Sequence, residues 1–263
     1  MGIRIATWNI NSVRLREDLV CRFLNSYSPD ILCLQEIKTP TEFFPRVKFE
    51  NLGYNYILVR GQKSYNGVAI ISRIPIEDKG FNDFCLKGDA RHLAARLDCG
   101  VVLHNIYVPA GGDLPDRSLN DKFGHKIDFL VEMKNFFQSK KDSEPKLLLG
   151  DLNIAPMPYD VWSHKQLLKV VSHTPLETEH LNAVLEAGNF VDLVRKDKPE
   201  GLLYSWWSYR SPNWSIADKG RRLDHIWASE VLSERCHSSQ IIREIRGWER
   251  PSDHVPVMME MDI

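Results

Sequence analysis

Short apolar runs, often β-branched and closed off by Gly, Pro, Asn or Asp, recur along the chain. They lie at 3–10, 31–34, 56–59, 68–71, 93–97, 101–108, 146–149, 223–228 and 255–261. Runs of that length with those boundaries predict strands. Elsewhere apolar positions repeat with the period of a helix. Leu15, Leu19, Val20, Phe23 and Leu24 share one face over 13–25. Phe123, Ile127, Leu130, Val131 and Phe137 do so over 120–139, and Leu181, Val184 and Leu185 over 177–187. Many strands with few helices predict two packed sheets flanked by helices, a layered α/β arrangement. No repeat, low-complexity tract or long linker divides the chain, so a single domain over 1–263 is expected. Loops rich in Pro and aromatic residues at 109–116, 156–162 and 206–219 are candidate walls of a site.

Composition changes this picture in three ways. The chain has 263 residues and is 43% hydrophobic, which excludes a disordered polymer. Its 34 Lys and Arg balance 35 Asp and Glu. A polyanionic partner must therefore be gripped by a local patch or through a bound cation. No apolar run reaches the roughly 18 residues of a membrane span, and 1–11 lacks a signal-peptide pattern. Five dispersed cysteines without a CxxC argue against a disulfide framework and suit a reducing cytosol. They are expected to be small core residues.

The candidate chemistry lies where apolar runs end. Thr7-Trp8 leads into Asn9-Ile10-Asn11, and Cys33-Leu34 leads into Gln35-Glu36. Leu148-Leu149 leads into Gly150-Asp151-Leu152-Asn153, Leu223 precedes Asp224, and Ser252-Asp253-His254 precedes the last run. A carboxylate at the end of a buried strand is costly unless it is paired or bound to a cation. Several such ends converging suggest a metal site. Oxygen donors with no Cys suit Mg²⁺ or Mn²⁺ rather than zinc. Mg²⁺ is commonly held by one or two carboxylates plus substrate phosphates, which points to phosphate-ester chemistry.

The strings TWNINSVR (7–14), LQEIKT (34–39), NIYVP (105–109), GDLNIAP (150–156), RRLDHIWAS (221–229) and SDHVPV (252–257) resemble the exonuclease III family of apurinic/apyrimidinic endonucleases. They occur in family order over almost the whole chain. GQKSYNGVAI (61–70) and SWWSYR (205–210) resemble the DNA-repair branch of the same superfamily. The resemblance implies a four-layered α/β sandwich of two mixed sheets flanked by helices. It implies a Mg²⁺-dependent nuclease, with Mn²⁺ as a substitute, that nicks duplex DNA 5′ to abasic sites and trims 3′ ends. A monomer in the cytoplasm, nucleoid-associated if bacterial, is expected. Because the sequence opens at its first predicted strand, no N-terminal regulatory arm is expected.

Carried over by motif, Glu36 is the principal Mg²⁺ ligand, with Asn9, Asp151, Asn153 and Asp253 contributing to the metal site. Asn11 receives no role. His254 pairs with Asp224, which would fix its tautomer and leave the other ring nitrogen for water or phosphate. Asp151 would activate water or protonate the leaving oxygen, leaving the base role between Asp151 and His254. Asn153 and Tyr107 would donate to the phosphate. Lys38, Lys63, Tyr65, Asn66, Arg210, Arg221 and His254 would contact DNA, with Arg91, His92, Lys219 and Arg222 beside them. Trp206 would wall a pocket for a base-free sugar, while Trp207 belongs to the core.

The sequence departs from the family at two places. Ala110 stands where a side-chain amide often follows YVP, so the backbone of Gly111-Gly112 would have to supply N–H donors. Arg221 and Arg222 precede Leu223-Asp224 where some relatives carry an aromatic wall. Other superfamily phosphoesterases, acting on sphingomyelin, inositol phosphates or RNA tails, would bring a signal peptide, a membrane-seeking loop or targeting repeats. A non-catalytic DNA-binding module would have lost some of Glu36, Asp151, Asn153, Asp224 and His254, and all are present.

Overall fold

The computed structural model describes residues 2–141 and 144–263. In chain order its strands are β1 Gly2–Asn9, β2 Ile31–Gln35, β3 Tyr56–Arg60, β4 Val68–Ser72, β5 Ile76–Asp78 and β6 His92–Leu97. These are followed by β7 Val102–Tyr107, β8 Lys146–Asp151, β9 Phe190–Asp192, β10 Asp224–Ser229, β11 Cys236–Ile241 and β12 Val257–Asp262. They form two six-stranded sheets, ordered β11-β12-β1-β2-β4-β3 and β5-β6-β7-β8-β10-β9. Each sheet has one parallel pair, β1 with β2 and β7 with β8, among antiparallel neighbours.

The central strands are apolar on both faces because both faces are covered. Ile5, Cys33, Ile70, Leu103, Leu149 and Met259 pack between the sheets. The outer face of the first sheet, with Ala6, Trp8, Leu32 and Leu34, packs with Val20, Phe23 and Leu24 of helix Glu17–Tyr27. Ile106, Leu148 and Trp227 of the second pack with helices Asp121–Ser139 and Pro175–Ala187. The result is the expected four-layered sandwich.

Register places the chemistry. Asn9 lies level with Gln35, Tyr107 level with Asp151, and Asp151 opposite Asp224. All these positions fall at one end of the sandwich. Beneath them a buried polar link joins the sheets. Gln35 Nε2 donates to Asn105 Oδ1 at 2.8 Å, and Asn105 Nδ2 donates to the carbonyls of Leu34 and Ala69.

Several boundaries differ from the sequence reading. The first helix begins at Glu17, because 13–16 is a loop whose Val13 N–H bonds Ile37 O. The third begins at Pro175, capped by Thr174 with Glu177 answering. β5, β9 and β11 were not foreseen. They lie at or next to sheet edges and are short or polar, so they carry little hydrophobic signal. All five cysteines are unpaired, but only Cys33 is fully buried and Cys99 is exposed. No helix among the described residues is long and apolar enough to cross a membrane.

Candidate active site

Asp151 ends β8 at a point where only glycine can precede it. A Cβ on Gly150 would lie 1.8 Å from Ile106 O of the adjacent parallel strand. Beyond the strand ends the backbone turns sharply. Asn11, Glu36, Lys38 and Asn153 all hold positive φ, near 50°. Non-glycine residues rarely adopt this conformation, and it clusters at functional sites.

Asn9 is fully buried and bridges two carboxylates. Its Nδ2 donates to Glu36 Oε1 at 2.9 Å and to Asp151 Oδ2 at 2.8 Å. Its Oδ1 accepts the Asn11 N–H. Asn9 therefore orients both acids and has no free lone-pair face turned to them. Tyr107 also serves Glu36, donating its hydroxyl to Oε1 at 2.7 Å. Burial first, then the nearby Glu36 and Asp151 charges, push the Tyr107 phenol well above its ordinary range.

The other Glu36 oxygen, Oε2, meets the Lys38 ammonium at 2.7 Å. Lys38 also donates to Asn11 Oδ1 at 2.6 Å. Burial opposes the Glu36 charge, but Lys38, Asn9 and Tyr107 together hold its carboxyl below the usual value. A positive charge thus already sits on hard oxygen ligands, which is the test that Mg²⁺ or Mn²⁺ must pass here. Asp253 lines the same cleft, but both its oxygens are already engaged. Its Oδ2 accepts from Trp206 Nε1 at 3.0 Å and its Oδ1 from Asn11 Nδ2 at 3.1 Å. Asp253 steers Trp206, and Asn11, to which the motifs gave no role, links Asp253 to Lys38.

His254 Nδ1 lies 2.8 Å from Asp224 Oδ2, and Ser205 Oγ donates to the same oxygen at 2.6 Å. On the far side His254 Nε2 lies 3.7 Å from Asp151 Oδ2. Ligand atoms of Asp151, Asp224 and His254 all fall within 4.8 Å of one another. Asp224 Oδ1 is buried without a hydrogen-bond partner among the described residues, whereas a cation on Glu36 Oε2 would take the place of the Lys38 ammonium. Burial disfavours a charged His254 ring, but Asp224 and Asp151 outweigh it and raise the ring to about 10. Burial pushes Asp151 up to about 7, with His254 opposing.

Asn153 departs from its expected role. Its Nδ2 donates inward, to Val108 O at 2.9 Å and Asp151 Oδ2 at 3.0 Å, so it holds Asp151 and has no amide proton left for a phosphate. Beneath it, the buried Lys126 ammonium donates to the carbonyls of Asn153 and Ala110 and to Glu177. Gly111 and Gly112 both hold positive φ, and neither amide has a hydrogen-bond partner among the described residues. They remain available where Ala110 lacks a donor.

A cleft of about 750 Å³ runs from Glu36, Asn153 and His254 to Trp162, Trp206 and Arg221. All three loops named from sequence contribute to it, and Val170, Val171 and Ser172 add a wall that the sequence did not suggest. Trp206 lines it, while Trp207 is buried, as expected. Of the proposed DNA contacts, Lys63, Tyr65 and Arg210 are exposed. Asn66 is not available, because it is buried and its amide donates to Gln62 and Asp89. His92 is stacked on His104 in the interior, and Arg222 is buried against Asp160 and Asp192. Arg91 lies over the Tyr107 ring with its Nε on Asp89.

The arrangement has close counterparts. The family model for endonucleases, exonucleases and phosphatases matches residues 6–254. Exodeoxyribonuclease III of Haemophilus influenzae is 32% identical over 98% of this chain and 99% of its own length. An AP endonuclease from Archaeoglobus fulgidus superposes with a TM-score of 0.92 at 32% identity, covering 99% of this chain and 100% of that one. A 3′ phosphatase from Neisseria, bound to product DNA hairpin, gives 0.91 at 31% identity, again over 99% and 100%. The chain belongs to the endonuclease/exonuclease/phosphatase family.

Proposed function

We propose that this cleft hydrolyses phosphodiesters of damaged duplex DNA, nicking 5′ to abasic sites and clearing 3′ ends. The observation that carries the reading is the His254 ring set between Asp224 and Asp151 in a cleft that also holds Glu36 and Trp206. Similarity to exodeoxyribonuclease III and to an AP endonuclease supports the substrate class.

Mg²⁺, with Mn²⁺ as a substitute, would be held by Glu36 with Asp151 nearby, and would neutralise phosphate charge when bound. A ring flanked by carboxylates on both nitrogens keeps a proton on each. His254 then donates from Nε2 to a phosphate oxygen, and Asp224 holds its orientation. Asp151, held by Asn9 and Asn153, exchanges the proton of the reaction, and its burial tunes it toward neutrality. Trp206, fixed by Asp253, walls the space for a sugar without a base. Extrusion is cheapest where no base must be unstacked.

The test is a duplex with one tetrahydrofuran abasic analogue, incubated with Mg²⁺ or EDTA. A single internal cut in Mg²⁺ that is lost in EDTA is expected. A ladder from the 3′ end alone would remove the abasic reading, and equal cutting in EDTA would remove the metal. Glu36→Gln should shift the Mg²⁺ titration to higher concentration while leaving the melting temperature near that of the parent.

A further inference from the structure

The loop that follows β7 reaches the cleft at Ala110 and Gly112, beside Glu36, Asn153 and His254. Its peptide units are pinned from behind. Lys126, on helix Asp121–Ser139, is fully buried, and all three of its ammonium protons are engaged. They go to Ala110 O at 3.3 Å, Asn153 O at 2.9 Å and Glu177 Oε1 at 2.5 Å. Glu177 is held in turn by the Ser172 and Thr174 amides and the Thr174 hydroxyl. Asn120 caps the same helix through Oδ1 and donates both amide protons, to Gly111 O at 2.9 Å and Leu114 O at 2.6 Å. A Cβ on Gly111 would lie 2.9 Å from Lys126 Cδ and 3.1 Å from Val171 Cγ1, so only glycine lets the backbone lie this close to the lysine stem.

In a trans peptide the N–H points away from the C=O of the same unit. The Ala110 carbonyl faces the buried ammonium, so the Gly111 N–H of that unit faces the opposite way, toward the cleft. The Gly111 carbonyl faces the Asn120 amide, so the Gly112 N–H is turned away from it in the same manner. Neither N–H has a partner among the described residues. Resting on the nuclease reading above, we infer that Lys126 is a positioning residue for the scissile phosphate. With Asn120 it aims the Gly111 and Gly112 amides at a phosphate oxygen, where they take the place of the side-chain amide that Ala110 lacks. Through Asn153 O it also steadies Asn153, whose own amide holds Asp151. Backbone dipoles fixed in this way suit an anion, because little reorganisation is left when charge develops on the phosphate. Lys126 itself is enclosed by its three acceptors and does not touch the substrate.

The first measurement follows the glycine amides of the parent protein by NMR with a ¹⁵N-glycine label. The probes are the tetrahydrofuran duplex in EDTA and the same duplex with a neutral methylphosphonate at the scissile position. The Gly111 and Gly112 amide protons should move downfield with the first probe and much less with the second. Equal movement with both, or none with either, would overturn the inference. This readout needs no cleavage, so it is separate from failure of the nuclease reading, which would show as no cut in Mg²⁺. Kinetics then distinguish positioning from support of the fold. Lys126→Met should lower kcat on the tetrahydrofuran duplex about 10- to 100-fold, the scale of a hydrogen bond to a charged group, with KM little changed. It also strands the buried Glu177 charge, so Lys126→Met combined with Glu177→Gln should recover the melting temperature but not kcat. Return of kcat together with stability would reduce Lys126 to a structural strut and overturn the inference. Ala110→Asn should leave kcat of the parent within about threefold and restore about tenfold to the double variant. A gain of about tenfold in the parent would show that the backbone amides do not reach the phosphate, and would also overturn it.

Discussion

Asp224 and Asp151 flank opposite nitrogens of one imidazole, and His254 and Asp151 titrate together and not singly. His254→Asn and Asp224→Asn should each lower kcat by about 10²–10⁴-fold. The double variant should be little worse than the poorer single, because Asp224 works through the ring it orients. Additive losses in that cycle would separate them. In Asp151→Asn the limb of the pH–rate profile that reports the base should vanish, while in His254→Asn it should persist at a lower rate. The reverse result would return the base role to His254. A second histidine pair governs acid stability. Burial first, then Arg60 and Lys140, lower His92 from 6.5 to about 3, and burial with the His92 neighbour lowers His104 well below its ordinary value. Both rings are neutral in the fold, so the unfolded chain binds protons first. Their contribution is complete above about 6.5 and fades as pH falls toward 3. His104→Phe, set among Phe136 and Phe137, should flatten the fall in melting temperature between about pH 7.5 and 4.5. An unchanged slope would clear the pair. Glu36, Asp151, Asp224 and His254 were legible in sequence because each ends or begins an apolar run. The direction of Asn66 and Asn153 was not, since it is set by Asp89 and Val108, far away along the chain.

At the scale of elements, buried ion pairs clamp the loops that carry the site. Arg222 donates from Nε and Nη2 to both Asp160 oxygens, at 2.7 and 2.9 Å, and from Nη1 to Asp192 at 2.7 Å. It thereby ties the turn Pro158–Asp160 and edge strand β9 to the start of β10. Arg222→Met should cost about 3–5 kcal/mol, because it strands buried carboxylates. Urea melts should show this as a lower midpoint, and a midpoint unchanged within error would mean that Arg195, which also reaches Asp160, suffices alone. The sequence placed Arg222 on the DNA surface because an arginine beside a catalytic motif suggests a phosphate contact, and its carboxylate partners lie 62 and 30 residues away. The same distance effect divides the strands that could be read from those that could not. β1, β2, β4, β7 and β8 are sealed on both faces and read as continuous apolar runs. β9 has three residues, and β11 is Cys-His-Ser-Ser-Gln-Ile, recognisable only from the neighbours it pairs with.

Over the whole molecule the formal charge is near zero, at −1, so DNA must be held by a local strip. Lys63, Arg210, Lys219 and Arg221 lack ion-pair partners among the described residues, and in the proposed function they form that strip. Counterion release then predicts a log–log salt slope for DNA affinity of about −3 to −6, a handful of phosphates. A slope near zero would exclude that grip. The closure of the first sheet has a consequence in time. β12 lies between β11 and β1, Trp8 Nε1 donates to His254 O at 3.0 Å, and Ser252 Oγ donates to Asn9 O across 243 residues of sequence. At a synthesis rate of 5–20 residues per second, β1 waits about 12 to 50 seconds for the strand that completes its sheet. During that interval the edge of β1 that β12 pairs lies open and needs shielding, but on the proposed mechanism the growing chain is also harmless. Glu36 is made early and Asp151 past the middle of the chain, while His254, which the proposed mechanism requires, arrives near the end of synthesis, so on that mechanism a partly made chain next to nucleic acid lacks a working site.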